Sequence, residues 1–276
     1  MKILVVGGGG REHTLVWKIS QSPLVEKIYC APGNAGIAEL AECVSIGGED
    51  IDALGSFAEE KHIDLTVGGP EAPLVEGLVD RLSKRGLKAF GPGKDAALLE
   101  GSKIFAKKLM AKYNIPTGTF HTFCEPEEAI EFIHDIGAPV VVKADGLAAG
   151  KGVIVAFDIQ SAVTAVNQCM IDSAFGRAGS RIVIEEFLQG EEASVLAFSD
   201  GEPLLTMPAS QDHKAIYDGD KGPNTGGMGA YSPAPVITNT LLEHIENQIL
   251  WPTIAALKEE GCEYRGVLYC GLMMTE

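Results

Sequence analysis

The sequence contains no apolar run long enough to cross a lipid bilayer, so we expect no transmembrane helix and no membrane partner. Its six cysteines include no CxxC pair, and most of them lie in apolar stretches. We therefore interpret them as reduced core residues. The chain begins directly with the strand-like Lys2–Val6 and shows no signal-peptide pattern. Together these features predict a cytoplasmic protein.

Basic residues are few, with 22 Lys and Arg against 38 Asp and Glu, and the formal net charge is −16. Nucleic-acid binding needs a basic surface, so this charge argues against a nucleic-acid partner. A small anionic ligand remains compatible with the composition where a few basic side chains and backbone amides gather. The 276 residues are enough for one large domain or two to three small domains.

The segment Val140–Val155 reads VVVKADGLAAGKGVIV, which predicts a strand, a glycine-rich loop and a second strand. Backbone N–H groups of such a loop can cover a polyphosphate while Lys143 supplies positive charge. No Ser or Thr follows Lys151 and no helix opens after it, so the segment is not a P-loop. The two flanking strands also exclude a dinucleotide-binding fingerprint. The alternative is a glycine hairpin that merely joins two core strands.

Residues 1 to about 92 alternate between predicted strands and helices, which indicates a parallel sheet covered on both faces. The loops Gly7–Gly10, Pro32–Gly36 and Gly68–Glu71 each follow a predicted strand. Ligands of such sheets lie at the carboxyl ends of the strands, so we predict a ligand edge formed by these loops. The alternative is tight packing of turns. The predicted helices of this region are Arg11–Ser20, Asp50–Lys61 and Ala72–Arg85.

A single amphipathic helix is predicted from Asp95 to Tyr113. Four of its lysines lie off the apolar stripe, and such a row is usually solvated; they are Lys103, Lys107, Lys108 and Lys112. Lys103 is of interest because its helix precedes the hairpin that carries Lys143. A later helix is predicted at Ser161–Met170, with Ser161 as its N-cap.

The predicted strand Arg181–Phe187 has an acidic end, where the carboxylates are either exposed edge charges or part of a site. The segment Gly219–Ala230 is rich in glycine, and we interpret it as a binding loop without regular structure. Residues Thr240–Glu260 are predicted to be helical with a break at Pro252. A final strand is predicted at Arg265–Thr275.

Several of these features, in this order, resemble the ATP-grasp superfamily and, within it, the phosphoribosylamine–glycine ligase family. The resemblance runs along the whole chain and rests on six motifs. They are Gly8–His13, Pro32–Gly36, Gly69–Glu71, Lys143–Val153, Gln211–Lys214 and Asn224–Gly229. The fold implied is an N-terminal doubly wound α/β substrate domain with a linker helix (residues 1–116), a small α+β lid (117–190) and an incomplete central antiparallel-sheet domain (191–276).

The resemblance implies ATP-dependent ligation of glycine to 5-phosphoribosylamine in purine biosynthesis. The products would be glycinamide ribonucleotide, ADP and phosphate, formed through a glycyl phosphate. Such a reaction needs positioning and charge neutralisation more than acid–base chemistry. Two alternatives stay open: an ATP-binding fragment without turnover, and another ATP-grasp carboxylate–amine ligase. A dehydrogenase interpretation of Gly7–Gly10 is the weakest, because the second predicted strand does not end in an acidic residue.

By resemblance, Lys103 and Lys143 neutralise phosphates, Glu185 accepts from the adenine amino group, the Leu188 amide donates to the ring, and Glu192 binds the ribose. The residues implied to bind ATP are Lys103, Lys143, Gly146, Ala149, Gly150, Lys151, Gly152, Glu185, Phe187, Leu188 and Glu192. Those implied to bind glycine and 5-phosphoribosylamine are Gly8, Gly9, Gly10, Arg11, Glu12, Pro70, Glu71, Asp212, Lys214, Asn224, Gly226, Gly227, Met228 and Gly229.

Members of the family continue past the last strand into a segment that carries a metal-binding Glu and Asn. The sequence here ends at Thr275-Glu276, so we expect a fragment whose Mg²⁺ (or Mn²⁺) ligands lie beyond Glu276. Whether such a fragment turns over by itself stays open. The final strand would leave an open sheet edge, which predicts a monomer or a weak homodimer.

Overall fold

The computed structural model describes residues 1–148, 151–219 and 221–275. The chain divides into two compact units, one formed by Met1–Leu98 with Gly261–Gly266 and the other by Leu99–Glu260 with Val267–Glu276. None of the helices in the described segments is long and apolar enough to cross a membrane. The six cysteines are reduced thiols, and Cys124 is exposed rather than part of a core.

The first unit is built on a five-stranded sheet in the order β3-β2-β1-β4-β5, with every pair of neighbours parallel. The apolar run at Ile3–Val6 is fully buried, as a central parallel strand covered on both faces requires. The strands are β1 (Lys2–Gly7), β2 (Lys27–Pro32), β3 (Glu42–Cys43), β4 (Leu65–Gly68) and β5 (Ala89–Phe90).

Helices cover both faces of this sheet. Side chains alternate along β1, so Leu4 packs into one core cluster and Ile3 and Val5 into another. The helices are α1 (Gly10–Ser20), α2 (Ile51–Lys61), α3 (Glu71–Val75) and α4 (Leu78–Lys84). The prediction of one helix over Ala72–Arg85 is wrong, because Gly77 adopts a left-handed conformation (φ 90°) between α3 and α4.

The second unit contains a four-stranded sheet in the order β6-β9-β7-β8, with antiparallel neighbours. Its strands are β6 (Phe120–Phe123), β7 (Val140–Ala144), β8 (Val153–Ala156) and β9 (Ile182–Glu186). The β7–β8 pair confirms the hairpin predicted for Val140–Val155. Ala149 and Gly150 of its loop lie outside the described residues.

The helix predicted over Asp95–Tyr113 is wrong as a single element. The structure has α5 (Lys94–Gly101) and α6 (Lys103–Lys112), separated by Ser102 in an extended conformation. Ser102 caps α6, since its hydroxyl accepts a hydrogen bond from the Phe105 amide at 3.1 Å. A serine that satisfies a free amide at a helix start competes with helix continuation.

Two further helices, α7 (Pro126–Ile136) and α8 (Ile159–Val166), pack on one face of the four-stranded sheet. Ala129 and Ile133 of α7 contact the same buried cluster as Val142 and Ile184 of the strands. The predicted cap at Ser161 is wrong: Asp158 is the N-cap, and it accepts from the Ser161 amide at 2.8 Å. The helix then continues as a π-helical turn, Asn167–Ile171.

The remaining strands form a three-stranded sheet and a two-stranded ribbon. They are β10 (Glu191–Asp200), β11 (Leu204–Thr206), β12 (Gln211–Tyr217), β13 (Lys221–Tyr231) and β14 (Arg265–Met274). The sheet has the order β11-β10-β14, so the final strand has β10 as its neighbour. The segment Gly219–Ala230, predicted as an irregular loop, belongs mostly to β13. Glycine has a low propensity for strands, but antiparallel pairing with β12 supplies the backbone hydrogen bonds that hold this segment extended.

The predicted helix over Thr240–Glu260 consists of α9 (Asn239–Ile245), a π-helical turn (Glu246–Leu250) and α10 (Trp251–Glu259). Pro252 lies in the first turn of α10, where its missing N–H is tolerated. The chain stays helical through Pro252 and does not break there; its irregularity is the π-helical turn just before the proline.

Candidate functional site

The three glycine-rich loops of the first unit lie at one edge of its sheet. The register pairs Gly7 with Pro32 and Val6 with Gly68, so all three loops leave the strands at the same level. The Gly33 amide donates to the Gly7 carbonyl at 3.1 Å, and the Gly69 amide donates to the Val6 carbonyl at 3.1 Å. The predicted juxtaposition of these loops at the carboxyl edge of the strands is confirmed.

Glu12 is buried beneath this edge, with 3% of its surface exposed. Its Oε2 accepts from the Gly9 amide at 2.7 Å, and its Oε1 accepts from the Arg11 Nε at 2.8 Å. A Cβ atom on Gly7 would come within 2.7 Å of the Glu12 side chain, so the glycine makes room for the carboxylate. Both oxygens have partners in the protein, which indicates that Glu12 shapes the first glycine loop.

Arg11 bridges two of the loops, because its Nη1 donates to Glu71 Oε1 at 2.8 Å. Burial acts to lower the pKa of Arg11, but its hydrogen bonds with Glu71 and Glu12 outweigh this and raise it. Burial acts to raise the pKa of Glu71, but the hydrogen bond with Arg11, a backbone hydrogen bond and the charge of Arg11 together lower it. Both side chains are about half exposed, so their charges are accessible at this edge.

In the second unit, Glu185 lies between two lysines. The register pairs Val141 with Glu185, so alternation along β7 places Lys143 on the same face of the sheet. Lys143 Nζ lies 2.8 Å from Glu185 Oε2, and Lys107 Nζ lies 3.0 Å from the same oxygen. Lys107 was predicted to belong to a solvated row. It is instead largely buried, and helical spacing could not reveal that.

One oxygen of Glu185 has no partner. Only 8% of Glu185 is exposed, and its Oε1 is buried without a hydrogen bond from any described residue. A buried carboxylate oxygen is rarely left unpaired, since the missing hydrogen bond costs free energy. The free Oε1 therefore retains unused capacity to accept a hydrogen bond.

Lys103 opens α6 close to this cluster. Its Nζ donates to the Gly146 carbonyl at 3.1 Å, which connects the helix to the base of the glycine-rich hairpin loop. Burial is the main cause that lowers the pKa of Lys103; the nearby Lys143 lowers it further, while Glu100 opposes the shift. Positive charges held close together without full compensation favour the approach of an anion.

Asp145 anchors the same region, and no sequence motif pointed to that role. It is buried, and its Oδ1 accepts from the Ser102 hydroxyl and the Ile104 amide, both at 2.8 Å. Its Oδ2 accepts from Arg181 Nη2 at 2.5 Å. The carboxylate thus fixes the start of α6 against the end of β7, a contact between residues distant in sequence.

The glycines of the hairpin loop permit close approach. A Cβ on Gly146 would lie 2.7 Å from the Ala178 Cβ, and one on Gly152 would lie 2.7 Å from the Ala148 Cβ. Lys151 is exposed beside them. After β9, the Phe187 ring meets the Phe157 ring edge-on at a centroid distance of 5.3 Å, and Leu188 follows it.

Glu192, predicted to bind a ribose, lies beside two residues predicted to bind the other substrates. Lys214 forms a close ion pair with Glu192, and its Nζ is 3.6 Å from Asp212 Oδ1. Burial acts to lower the pKa of Lys214, but the hydrogen bond and charge of Glu192 outweigh it and raise the pKa. The structure therefore joins the two predicted sets of residues at Lys214.

A cavity of about 460 Å³ opens at the β12–β13 ribbon. Asp212, Met228 and Gly229 contribute to its lining, and Gly227 adopts a positive φ of 113° beside it. Asn224 and Gly226 lie on β13, where the backbone of Asn224 pairs with that of Ala215. The cavity is lined by Gln211, Asp212, His213, Met228, Gly229, Ala230 and Tyr231.

Within the described ranges, no group of three or more His, Cys, Asp or Glu side chains could hold a metal ion. The proposed ligands beyond Glu276 stay a prediction.

Two family descriptions cover the chain completely. Residues 1–100 match the phosphoribosylglycinamide synthetase N domain, and residues 101–276 match the phosphoribosylglycinamide synthetase ATP-grasp (A) domain. The chain is also 55% identical to the curated phosphoribosylamine–glycine ligase of Caldanaerobacter subterraneus subsp. tengcongensis. That match covers 100% of this chain and 66% of the relative.

Solved structures agree with this assignment. A crystal structure of phosphoribosylamine–glycine ligase from Thermotoga maritima has a TM-score of 0.84 at 33% identity, covering 100% of this chain and 66% of that one. The N5-carboxyaminoimidazole ribonucleotide synthetase of Thermus thermophilus has a TM-score of 0.70 at 23% identity, covering 99% and 68%. The second likeness shows a shared fold alone.

The chain spans about two thirds of the length of the curated relatives that it matches. Over that span the predicted ATP-grasp fold is confirmed, with its parallel-sheet first part and its antiparallel sheets. Matches over residues 1–100 and 101–276 show that the chain belongs to the phosphoribosylglycinamide synthetase family.

Proposed function

We propose that the protein catalyses the ATP-dependent ligation of glycine to 5-phosphoribosylamine. The observation that carries the proposal is the cluster around Glu185. A free buried carboxylate oxygen suits the amino group of a purine, and Lys143 and Lys103 suit the phosphates. The names of the relatives then supply the choice of glycine and phosphoribosylamine as substrates.

In the proposed reaction, a carboxylate oxygen of glycine attacks the γ-phosphorus of ATP and ADP leaves. The amine of phosphoribosylamine then attacks the carbonyl carbon of the glycyl phosphate, phosphate leaves, and the nitrogen loses a proton. A carboxylate is a poor acyl donor, and the phosphate makes it a good one. The protein's task is therefore to position the reactants and to compensate their charge.

Each proposed ATP contact uses a residue of the second unit. Glu185 Oε1 accepts from the adenine amino group, and the Leu188 amide donates to the ring. Lys143 and Lys103 compensate the phosphate charge. Gly146 and Gly152 let the loop pack closely against Ala178 and Ala148, and its backbone amides are proposed to face the phosphates. A divalent cation supplies further charge compensation at the β- and γ-phosphates when it is bound.

For the other substrates, two groups of residues are proposed. The loop edge with Arg11 and Glu71 offers backbone amides and accessible charges of both signs. The β12–β13 ribbon offers Asp212 and Lys214 beside its cavity. The domain limits at residues 116 and 190, the cytoplasmic location and a monomeric or weakly dimeric state stay predictions.

Product analysis tests the proposed reaction. The protein is incubated with ATP, Mg²⁺, glycine and freshly formed 5-phosphoribosylamine, and products are quantified by mass spectrometry. We expect ADP, phosphate and glycinamide ribonucleotide in equal amounts. Glycinamide ribonucleotide should not form when glycine or 5-phosphoribosylamine is omitted. ADP formation that requires a different carboxylate or amine would contradict the choice of substrates.

A second candidate is an ATP-binding module without turnover. Its support is that the contacts around Glu185 and Lys143 concern nucleotide binding alone and require no turnover. A thermal shift on adding ATP, without product formation, would favour it. The absence of any shift at millimolar ATP would contradict both candidates.

A further inference from the structure

Lys107 is an additional residue of the cluster around Glu185. It lies on α6, and only 13% of its side chain is exposed. Its Nζ lies 3.0 Å from Glu185 Oε2 and 2.7 Å from Thr117 Oγ1. It also lies 5.7 Å from the centre of the Phe120 ring, whose residue pairs with Glu185 across the sheet. Three neighbours therefore hold this ammonium group in place.

Lys143 is less confined than Lys107. Its side chain is 25% exposed, and its ion-pair partner is the same Glu185 Oε2 at 2.8 Å. Two ammonium groups thus share one carboxylate oxygen, and this leaves one excess positive charge. Burial lowers the pKa of Lys107, while the charge of Glu185 and their hydrogen bond oppose that shift. The more accessible lysine is the one that can reorient toward an anion.

Binding of a polyphosphate would change this balance. An anion that attracts Lys143 removes one of the two cations from a carboxylate whose residue is only 8% exposed. A buried carboxylate without a counter-charge is strongly destabilised and would adopt another rotamer or protonation state. Glu185 must nevertheless keep Oε1 available as an acceptor at that moment. Lys107, which stays beside Oε2 when Lys143 moves, would keep the carboxylate charged and in place.

We propose that Lys107 is a positioning residue that holds Glu185 through Oε2, so that Oε1 accepts a hydrogen bond from the base when Lys143 engages the phosphates. The inference rests on the proposed binding of ATP. Lys107 and Glu185 would together determine selectivity for the base, whereas Lys143 and Lys103 would bind the phosphates. A role as another phosphate ligand is the competing explanation.

Nucleotide binding to matched variants tests the proposal. Lys107→Met removes the charge, Lys107→Arg retains it, and Lys108→Met removes the charge of the exposed neighbour on the same helix. Isothermal titration gives dissociation constants for ATP, AMP and inosine triphosphate, in which a carbonyl oxygen replaces the amino group. Circular dichroism establishes that each variant is folded. Lys107→Gln, which keeps a hydrogen-bond donor, replaces Lys107→Met where that variant does not fold.

For Lys107→Met we expect ATP and AMP to bind about tenfold more weakly, the usual scale for losing a hydrogen bond with a charged group. We expect the dissociation constant of inosine triphosphate to change less, so that the affinity ratio of ATP to inosine triphosphate falls. Lys107→Arg should restore the preference, and Lys108→Met should leave all three constants unchanged.

Two results would overturn the inference. One is an unchanged ratio of ATP to inosine triphosphate affinity in Lys107→Met, or in Lys107→Gln where Lys107→Met does not fold. The other is a loss confined to ATP with AMP unaffected, which would make Lys107 a ligand of the outer phosphates. Failure of the unmodified protein to bind any of the nucleotides would instead refute the proposed function and, with it, this inference.

Discussion

Two buried glutamates, Glu12 and Glu185, differ in how far the protein satisfies the hydrogen-bonding capacity of their carboxylates. Both oxygens of Glu12 accept hydrogen bonds from its own loop, so the protein satisfies the carboxylate completely. Glu185 has one oxygen occupied by two lysines and one oxygen without a partner among the described residues. Only the second arrangement leaves bonding capacity for a ligand.

Sequence patterns identified some residues of the cluster and missed others. Lys143 and Glu185 could be predicted because each stands at the end of an apolar strand. Lys107 and Asp145 could not, because their roles depend on contacts between residues far apart in the chain. Helical periodicity predicts which face a lysine occupies, but it does not predict which strand lies opposite that face.

At Gly69, a single added methyl group should destabilise the first unit. Its Cβ would lie 2.6 Å from the Val6 carbonyl oxygen and 2.6 Å from the Glu12 Cγ, and the backbone atom cannot move aside easily. We expect Gly69→Ala to lower the free energy of unfolding by roughly 1–3 kcal/mol, measured by urea denaturation. Gly47→Ala is the control, since nothing lies within 4 Å of that position. Equal effects of the two substitutions would contradict the proposed packing at Gly69.

At the scale of elements, strands were predicted more accurately than helix ends. The strands β1 and β4 and the β7–β8 hairpin follow from short apolar runs that adjoin glycines. The helix over Asp95–Tyr113 was predicted as continuous because its apolar stripe crosses Ser102 without interruption. The break arises from Asp145, whose carboxylate accepts the Ile104 amide and the Ser102 hydroxyl. A tertiary contact therefore overrides local periodicity.

Two aspartates that cap helices should differ in their contribution to stability. Asp145 is buried and joins α6 to Arg181, whereas Asp158 is an exposed N-cap of α8. We expect Asp145→Ala to lower the free energy of unfolding by roughly 2–4 kcal/mol, because it leaves buried donors unpaired. Asp158→Ala should cost about 1 kcal/mol. Urea denaturation of both variants checks the order, and a larger cost for Asp158→Ala would refute it.

For the molecule as a whole, alternation of strands and helices predicted a parallel-sheet first part. The family resemblance, with the Val140–Val155 hairpin, implied antiparallel sheets in the second part. Both are present, and each of the two compact units has its own sheet. The ribbon β12–β13 could not be predicted, because a glycine-rich segment has weak strand propensity until a partner strand pairs with it. The pairing of Lys214 with both Glu192 and Asp212 likewise depends on how these strands meet.

We propose that the second unit binds ATP through Lys143 and Glu185. The most direct test is an ATP titration of the unmodified protein, Lys143→Ala and Asp212→Ala by isothermal calorimetry. We predict one saturable site that Lys143→Ala weakens by roughly tenfold or more, the scale of a lost hydrogen bond with a charged group. Asp212→Ala should leave that affinity unchanged. ATP affinity that is unaltered in Lys143→Ala, or is lost in Asp212→Ala, would contradict the account.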